Sequence, residues 1–412
     1  MLTLNEIVEN GLCIGCGLCR SVAGPDRITF VMTREGRERP IVRQALDKAT
    51  LERINAICPG IRVPGPSPVI GAGPPMSDTI WGNAYRMAIG YAADPEVRYR
   101  CSTGGVLTAL GQFLLRTRRV EFVLHVSASK AQPMRSEGRL SFDAAALLEA
   151  AGSRYGPAAP LIDFADVLDR NKPFALIAKP CDISAARNLG RVDPRVDQYM
   201  QYALTLVCGG ASDLRKSEEV LERFGLGEEE LSLFRYRGNG NPGLARVETK
   251  DGRAFELTYE ELWKDESKWM IQPRCKICPD AIGESADIAA SDVWPGGGPT
   301  GEDAGFNGII VRTDRGRELF DAARDAGAIV IEREMTFADL NRFQPHQVRK
   351  KRAIWARLTG MAAAGAPVPW VSDLRLPECA RQNSLQENLR EARGARQRAK
   401  DGRLGEPVPV AR

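Results

Sequence analysis

An α/β fold is predicted, with a small cysteine-bearing N-terminal segment ahead of an α/β region built on a largely parallel sheet. Three observations predict it. Short apolar stretches alternate with stretches of helical period from residue 86 to about residue 332, the sequence sign of strands joined by helical crossovers. The first 60 residues hold Cys13, Cys16 and Cys19 in a C-x2-C-x2-C run, and Cys58 follows in a Cys-Pro pair. Residues 61–80 carry five prolines among glycines, which marks an extended connector.

MAIGYAA at 87–93 reads as a strand and is followed by the loop DPEVRYRCSTGG. Val106, Leu107, Leu110, Leu114 and Leu115 recur at helical spacing and predict a helix over Gly105–Thr117. Val120–Val126 returns as a strand. Pro173–Ala178 is the next, running through Lys-Pro-Cys-Asp into a helix over Ile183–Leu189. Ala203–Val207 is another, ending in Cys208-Gly209-Gly210 before a helix near Ser217–Phe224. Residues 246–258 alternate around Asp251-Gly252, a hairpin pattern with a type I′ turn. Strands at Asp287–Ala290, Gly308–Val311 and Ile329–Glu332, a helix at Gly316–Asp325 and a closing helix at Gln347–Ala363 complete the pattern. The chain divides into a cluster segment (1–60), a linker (61–80), domains at 81–165 and 166–365, and a basic tail (380–412).

With 43% hydrophobic and 27% charged residues, the composition is that of a soluble globular protein. No apolar run reaches the roughly 18 residues of a membrane span. The stretch MLTLNEIVENGLCIG lacks the basic-then-apolar order of a secretory signal. Clustered cysteines then read as metal ligands in a reducing cytoplasm. A net charge of +4 is too small to argue for nucleic acid. Residues 381–412 hold eight Lys or Arg against four Asp or Glu, the composition of a solvated, frayed tail.

Thiolates are the ligands of cubane iron–sulfur clusters, and a C-x2-C-x2-C run with a Cys-Pro is a bacterial ferredoxin signature. Gly15 and Gly17 let the first loop fold tightly round such a cluster. A second cluster in this segment would need a cysteine at position 23, where Ala23 stands, so one cluster closed by Cys58 is expected. Zinc is the alternative occupant of four thiols. Cys275 and Cys278 precede Pro279; alone, this C-x2-C reads equally as zinc, a redox dithiol or half a cluster. Cys181 and Cys208 lie just past the carboxyl ends of predicted strands, the edge where ligands gather in open α/β sheets. Buried core cysteines are the alternative.

Ser102, Thr103, Gly104 and Gly105 open a helix after a strand, a setting that binds phosphates such as a flavin pyrophosphate and that also occurs as a plain cap. The loop Gly238-Asn239-Gly240-Asn241-Pro242-Gly243 has positions suited to φ > 0, with Asn239 a candidate cofactor contact and Arg235 and Arg237 beside it. Lys179 and Asp182 are candidates for acceptor or flavin contacts, or for a helix cap. Cys379, His125 and His346 read as structural, while Cys101, which abuts the glycine loop, reads equally as structural or as part of that site.

CIGCGLC at 13–19, CSTGGVLTAL at 101–110, KPCDISAARNL at 179–189, LVCGG at 206–210, and CKICPD at 275–280 with ADIAASDVW at 286–294, in this order, resemble the beta-subunit family of coenzyme F420-reducing hydrogenases and dehydrogenases. The resemblance covers about residues 10–315. It implies FAD with one or more 4Fe–4S clusters, and extends to ferredoxin-dependent reductases of chlorophyll intermediates, the 8-vinyl and 7-hydroxymethyl types. It implies a second cluster on Cys181, Cys208, Cys275 and Cys278, and FAD against Ser102–Gly105. An oxidoreductase follows, with ferredoxin or a partner redox subunit as donor, an exposed N-terminal cluster as entry point, and F420 or a tetrapyrrole as acceptor. Its rival is a non-catalytic electron-transfer subunit of a larger complex. The Lys-Pro-Cys-Asp form at 179–182 is closer to the pigment-reductase branch.

Overall fold

Eight strands form the main sheet: β1 (Arg86–Ala92), β2 (Phe122–Ala128), β3 (Ser136–Ser141), β4 (Phe174–Ala178), β5 (Met200–Leu206), β6 (Ile288–Asp292), β7 (Asn307–Val311) and β8 (Ile329–Glu334). They belong to a computed structural model that describes residues 1–66, 76–264 and 270–412. The order across the sheet is β8-β1-β7-β6-β5-β4-β2-β3. β2, β4, β5 and β6 pair in parallel, and the flanking strands join antiparallel. The predicted parallel sheet is thus the centre of the observed one. Its flanks reverse where a strand returns without a crossover helix, as β2 does to β3.

Alternation along each strand sends neighbouring side chains to opposite cores. Ala88, Val123, Ala175, Leu204, Ile288 and Ile309 face one core with the helix Val106–Arg116 and with Leu319 and Phe320 of the helix Asp314–Asp325. On the other face, Phe122, Leu124, Phe174, Leu176 and Ala203 pack against Ile183 and Leu189 of the helix Pro180–Gly190. Leu18 and Ile57 of the cysteine-bearing segment enter that same core. The segment is therefore docked on the sheet layer, where an exposed ferredoxin-like module was expected; its Leu4, Ile7, Leu12, Ile28 and Ile54 fill a second core with Ile277, Met361 and Ala395, which ties it to the C-terminal helices as well.

Three further expectations change. Gly252 alone of the 249–253 turn has positive φ, 90°, and its N–H bonds Thr249 O. Thr249 and Arg253 then pair across the turn, so this is a longer turn with one left-handed glycine in place of type I′, which needs positive φ at both central residues. The linker expectation over 61–80 falls partly on 67–75, outside the described residues. Of the rest, Arg62–Pro64 pairs in parallel with Trp370–Ser372 and Met76–Asp78 forms a hairpin with Gly82–Ala84.

The C-terminal residues are not a frayed tail. Leu385–Lys400 is a helix opened by a Ser384–Glu387 capping box, and it lies on the long helix Pro345–Ala362. A Cβ on Gly360 would stand 2.1 Å from Ala392 O, so only glycine admits this approach. Charge counting missed the helix because its many Arg and Lys face outward while Ala392 and its neighbours make the contact. Among the described residues no helix is long and apolar enough to cross a membrane.

Two tests follow from this packing. Gly360→Ala should lower stability by about 1–3 kcal/mol through overpacking; a detached tail would let the same change stabilise the helix by up to about 1 kcal/mol. Thermal unfolding gives the sign. His125 is buried, hydrogen-bonds Ser141 Oγ at 2.7 Å, and is pushed by burial down to about 4. The unfolded chain then takes up this proton first as the pH falls, so stability should drop between about pH 6.5 and about pH 4. Denaturant titrations of His125→Asn should lack that part of the slope.

Candidate redox site

Cys13 and Cys16 precede the short helix Leu18–Ala23, Cys19 lies within it, and Cys58 caps the C-terminus of the helix Lys48–Ile57. The loop closes on glycines: Gly15 and Gly17 have φ of 72° and 92°, and a Cβ on Gly17 would meet the Ile162 backbone at 2.6 Å. The Gly15 N–H points at Cys13 Sγ, 3.4 Å away. Burial pushes all four thiols up, Cys58 to about 12. Neighbouring thiols add to the shift at Cys16, Cys19 and Cys58. These four sulfurs thus form one group in which negative charge is costly unless a cation is bound among them.

The second set assembles from three stretches. β4 and β5 are parallel neighbours, so Cys181, in the first turn after β4, and Cys208, two residues beyond β5, emerge at one sheet edge. The turn Pro273–Ile277 brings Cys275 and Cys278 to them. Cys208 and Cys278 act on Cys181, and Cys275 and Cys278 on Cys208; burial remains the larger cause, raising Cys181 strongly and Cys208 to about 11. The Ala211 N–H points at Cys275 Sγ at 3.4 Å. Gln347 and Lys351 of the helix Pro345–Ala362 hold this corner by donating to Cys208 O and Pro279 O, each at 2.8 Å.

The quartets are neighbours. Ile14 and Pro59 of the first share a small cavity with Cys181, Cys275 and Cys278 of the second. Buried Arg274 donates to Pro59 O and Gly60 O at 2.9 and 3.1 Å, and to Ile277 O at 3.1 Å; one guanidinium thereby ties both ligand loops. Asp182, fully buried, bears on both Cys16 and Cys181. Lys179 Nζ stands 2.9 Å from Asp182 Oδ2. Burial drives the Asp182 carboxyl up against the pull of Lys179, and Asp182 holds Lys179 charged despite its own burial. These two residues therefore line the gap between the quartets, at the strand-to-helix corner. Asp182 has no exposure to an organic acceptor.

The glycine loop lies elsewhere on the sheet edge. Gly105, φ 74°, caps the helix Val106–Arg116, and a Cβ on Gly104 would meet Asn307 N at 2.7 Å. Asn307 Oδ1 accepts from Val106 N–H and its Nδ2 donates to Thr103 Oγ1. The first helical N–H is thus already spent on Asn307. Ser102 O accepts from Arg237 Nη2 at 2.7 Å, and Ser102 Oγ from Ser153 N–H. Arg237 is buried, reaches Tyr155 OH and Asp292, and lies 4.6 Å over the Trp294 ring. Among the described residues Arg237 Nε and Asn241 Oδ1 are buried without hydrogen-bond partners. Asn239 is exposed with φ 57° at the tip of this loop. Unspent buried polar atoms, an aromatic ring and a glycine-lined backbone suit an anionic ring cofactor such as a flavin dinucleotide.

Cys101 is buried against Thr108 and Cys379 against Thr79 O, both structural. Sequence reasoning missed Arg274, Asn307, Gln347 and Lys351. Only Arg274, adjacent to Cys275, carried a positional signal.

Residues 87–164 match the N-terminal part, and residues 171–336 the C-terminal part, of the coenzyme F420 hydrogenase/dehydrogenase beta-subunit family. The chain belongs to this family. It is 28% identical over 246 residues to an F420-dependent formate dehydrogenase subunit beta of Methanocaldococcus jannaschii, a match covering 58% of this chain and 60% of that one. It is 24% identical to a coenzyme F420-dependent sulfite reductase of the same organism, over 84% of this chain and 52% of the relative. The chain thus spans little more than half the length of these two relatives. A chain of the F420-reducing [NiFe] hydrogenase complex from Methanosarcina barkeri superposes with a TM-score of 0.54 at 17% identity, over 69% of this chain and 96% of that one. At that identity the likeness speaks for the fold.

The buried pair at the corner gives a direct test. Lys179→Met leaves Asp182 without its counter-charge and should cost about 3–5 kcal/mol, while the double change with Asp182→Leu should recover most of it. Chemical denaturation of the three variants measures both.

Proposed function

We propose that this electron-transfer oxidoreductase of the F420 beta-subunit family holds two 4Fe–4S clusters, on Cys13, Cys16, Cys19 and Cys58 and on Cys181, Cys208, Cys275 and Cys278, with FAD against Ser102–Gly105. The observation that carries this reading is the adjacency of two thiol quartets, Cys13 and Cys16 buried and the other six cysteines partly so, joined by Arg274. Support also comes from their spacing along the chain, C-x2-C-x2-C with a distant Cys-Pro in the first and C-x2-C-Pro in the second, which suits thiolate-held clusters.

Bound clusters supply one-electron steps and a flavin links them to hydride chemistry. The chain's own residues place the thiols, exclude water from the gap between quartets, and hold Arg274 and Lys179 where negative charge gathers. Arg237 and Ser102 fix the loop that a flavin would face. Ferredoxin or a partner redox subunit is the proposed donor, and F420 or a tetrapyrrole the proposed acceptor.

The second reading, an electron-transfer subunit without its own substrate, is favoured by the names of relatives. One is a formate dehydrogenase subunit beta, and another, 20% identical, is one of the subunits of an F420H2 dehydrogenase of Methanosarcina mazei. Isolated chain turning over F420 or divinyl chlorophyllide with reduced ferredoxin supports the enzyme. Turnover only with a co-purifying partner supports the second reading.

Anaerobic reconstitution should yield a brown chain with about eight iron and eight sulfide and one flavin. Cys278→Ala should lose about half of the iron, and Ser102→Trp the flavin with the iron retained. Zinc in place of iron, or iron without flavin, contradicts the corresponding part.

A further inference from the structure

We propose that Glu406, carried by the C-terminal strap, sets the reduction potential of the N-terminal centre by neutralising Arg39, a buried cation packed on its ligand loop. The inference rests on the cluster reading above and concerns residues outside the family-matched stretches, 87–164 and 171–336.

Arg39 is completely buried. Its Nη1 donates to Glu38 O and lies 3.2 Å from where a Gly15 Cβ would stand, against the backbone between Cys13 and Cys16. Its Nε and Nη2 form a two-pronged pair with Glu406 at 2.7 and 2.8 Å, and Nη2 also reaches Gln272 Oε1 at 3.0 Å. Arg37 stands 3.4 Å from the same Glu406 carboxylate and is itself paired with Asp213. Two arginines therefore face two carboxylates, and removing the Glu406 charge leaves a net cation beside the Cys13 loop.

The strap that brings Glu406 is fixed in place. Glu406 N–H bonds Glu9 O at 2.9 Å, a Cβ on Gly11 would run into Leu404 O, and Arg412 N–H bonds Met32 O. The carboxylate therefore approaches from outside the cysteine segment, at a fixed distance, in a water-poor setting where a charge acts strongly. Net charge and hydrogen bonds near the sulfurs are among the levers that set a cluster's potential.

Potentiometric titration of the full reconstituted chain, followed by electron paramagnetic resonance, tests this. The N-terminal component is the one lost in Cys19→Ala. Glu406→Gln, which keeps the acceptor and removes the charge, should raise that component's midpoint so that its reduced-to-oxidised ratio at fixed potential grows about tenfold, 59 mV for one electron. The other component should move less. Arg39→Met should shift the N-terminal midpoint the opposite way, and Arg39→Lys should leave it near the wild-type value. An unchanged midpoint in Glu406→Gln with full iron overturns the proposal. If that variant loses its iron, Arg39→Lys and Arg39→Met decide: a lower midpoint for Met than for Lys supports it, and equal midpoints overturn it. A wild-type chain that takes up no iron and sulfide removes the cluster reading itself, and is seen before any variant is made.

Discussion

The parallel pairing of β4 with β5 is the constraint on which the site depends. Leu204 lies between Ile177 and Ile288 in the centre of the sheet, and this register sends both chains out at the same edge. Cys181 and Cys208 meet only for that reason. A one-residue slip of β5 would turn its buried Ala203 and Leu204 to the wrong faces, so the packing that stabilises the sheet also fixes the sulfurs. The helix Pro180–Gly190 then carries the constraint across to the first quartet. Its Ile183 and Leu189 share a core with Leu18 and Ile57, and its Asn188 holds Ile57 O and Arg62 O at 3.2 and 2.9 Å.

Electrostatics follows from burial. Burial pushes seven of the eight thiols upward, and acidic Asp182 stands among them. The compensating cations are on the chain: Arg274 between the loops, Lys179 at the corner, Arg39 behind Cys13. Positive charge from bound iron completes the balance in the proposed state, and metal uptake and folding of these loops are then coupled. The glycine loop Ser102–Gly105 is built differently. Its glycines allow Asn307 and Gly90 to approach, and its polar groups are largely committed to Asn307, Ser153 and Arg237.

Much of this was legible in the sequence. The strands at 87–93, 173–178, 203–207 and 308–311 read from apolar runs, because buried central strands leave no room for polar residues. The cysteine spacings pointed to both quartets, although for Cys181 and Cys208 the residues alone left a core role open. Less legible was whatever depended on distant partners. The edge strand Ser136–Ser141 is polar and half-exposed, with no run to read. Arg39 and Arg274 look like ordinary surface residues until tertiary packing buries them against carbonyls and, for Arg39, a carboxylate 367 positions away. The C-terminal helix was misread from charge because its contact face is made of small residues, Ala392 against Gly360.

The central claim is that two clusters lie side by side on these quartets, close enough for electrons to pass. The most direct measurement is low-temperature electron paramagnetic resonance of the fully reduced, reconstituted chain at two microwave frequencies. The account predicts two paramagnetic centres whose lines are split by mutual magnetic interaction, with the splitting absent once either quartet is disrupted. Two centres that show no interaction, or one centre alone, would contradict it.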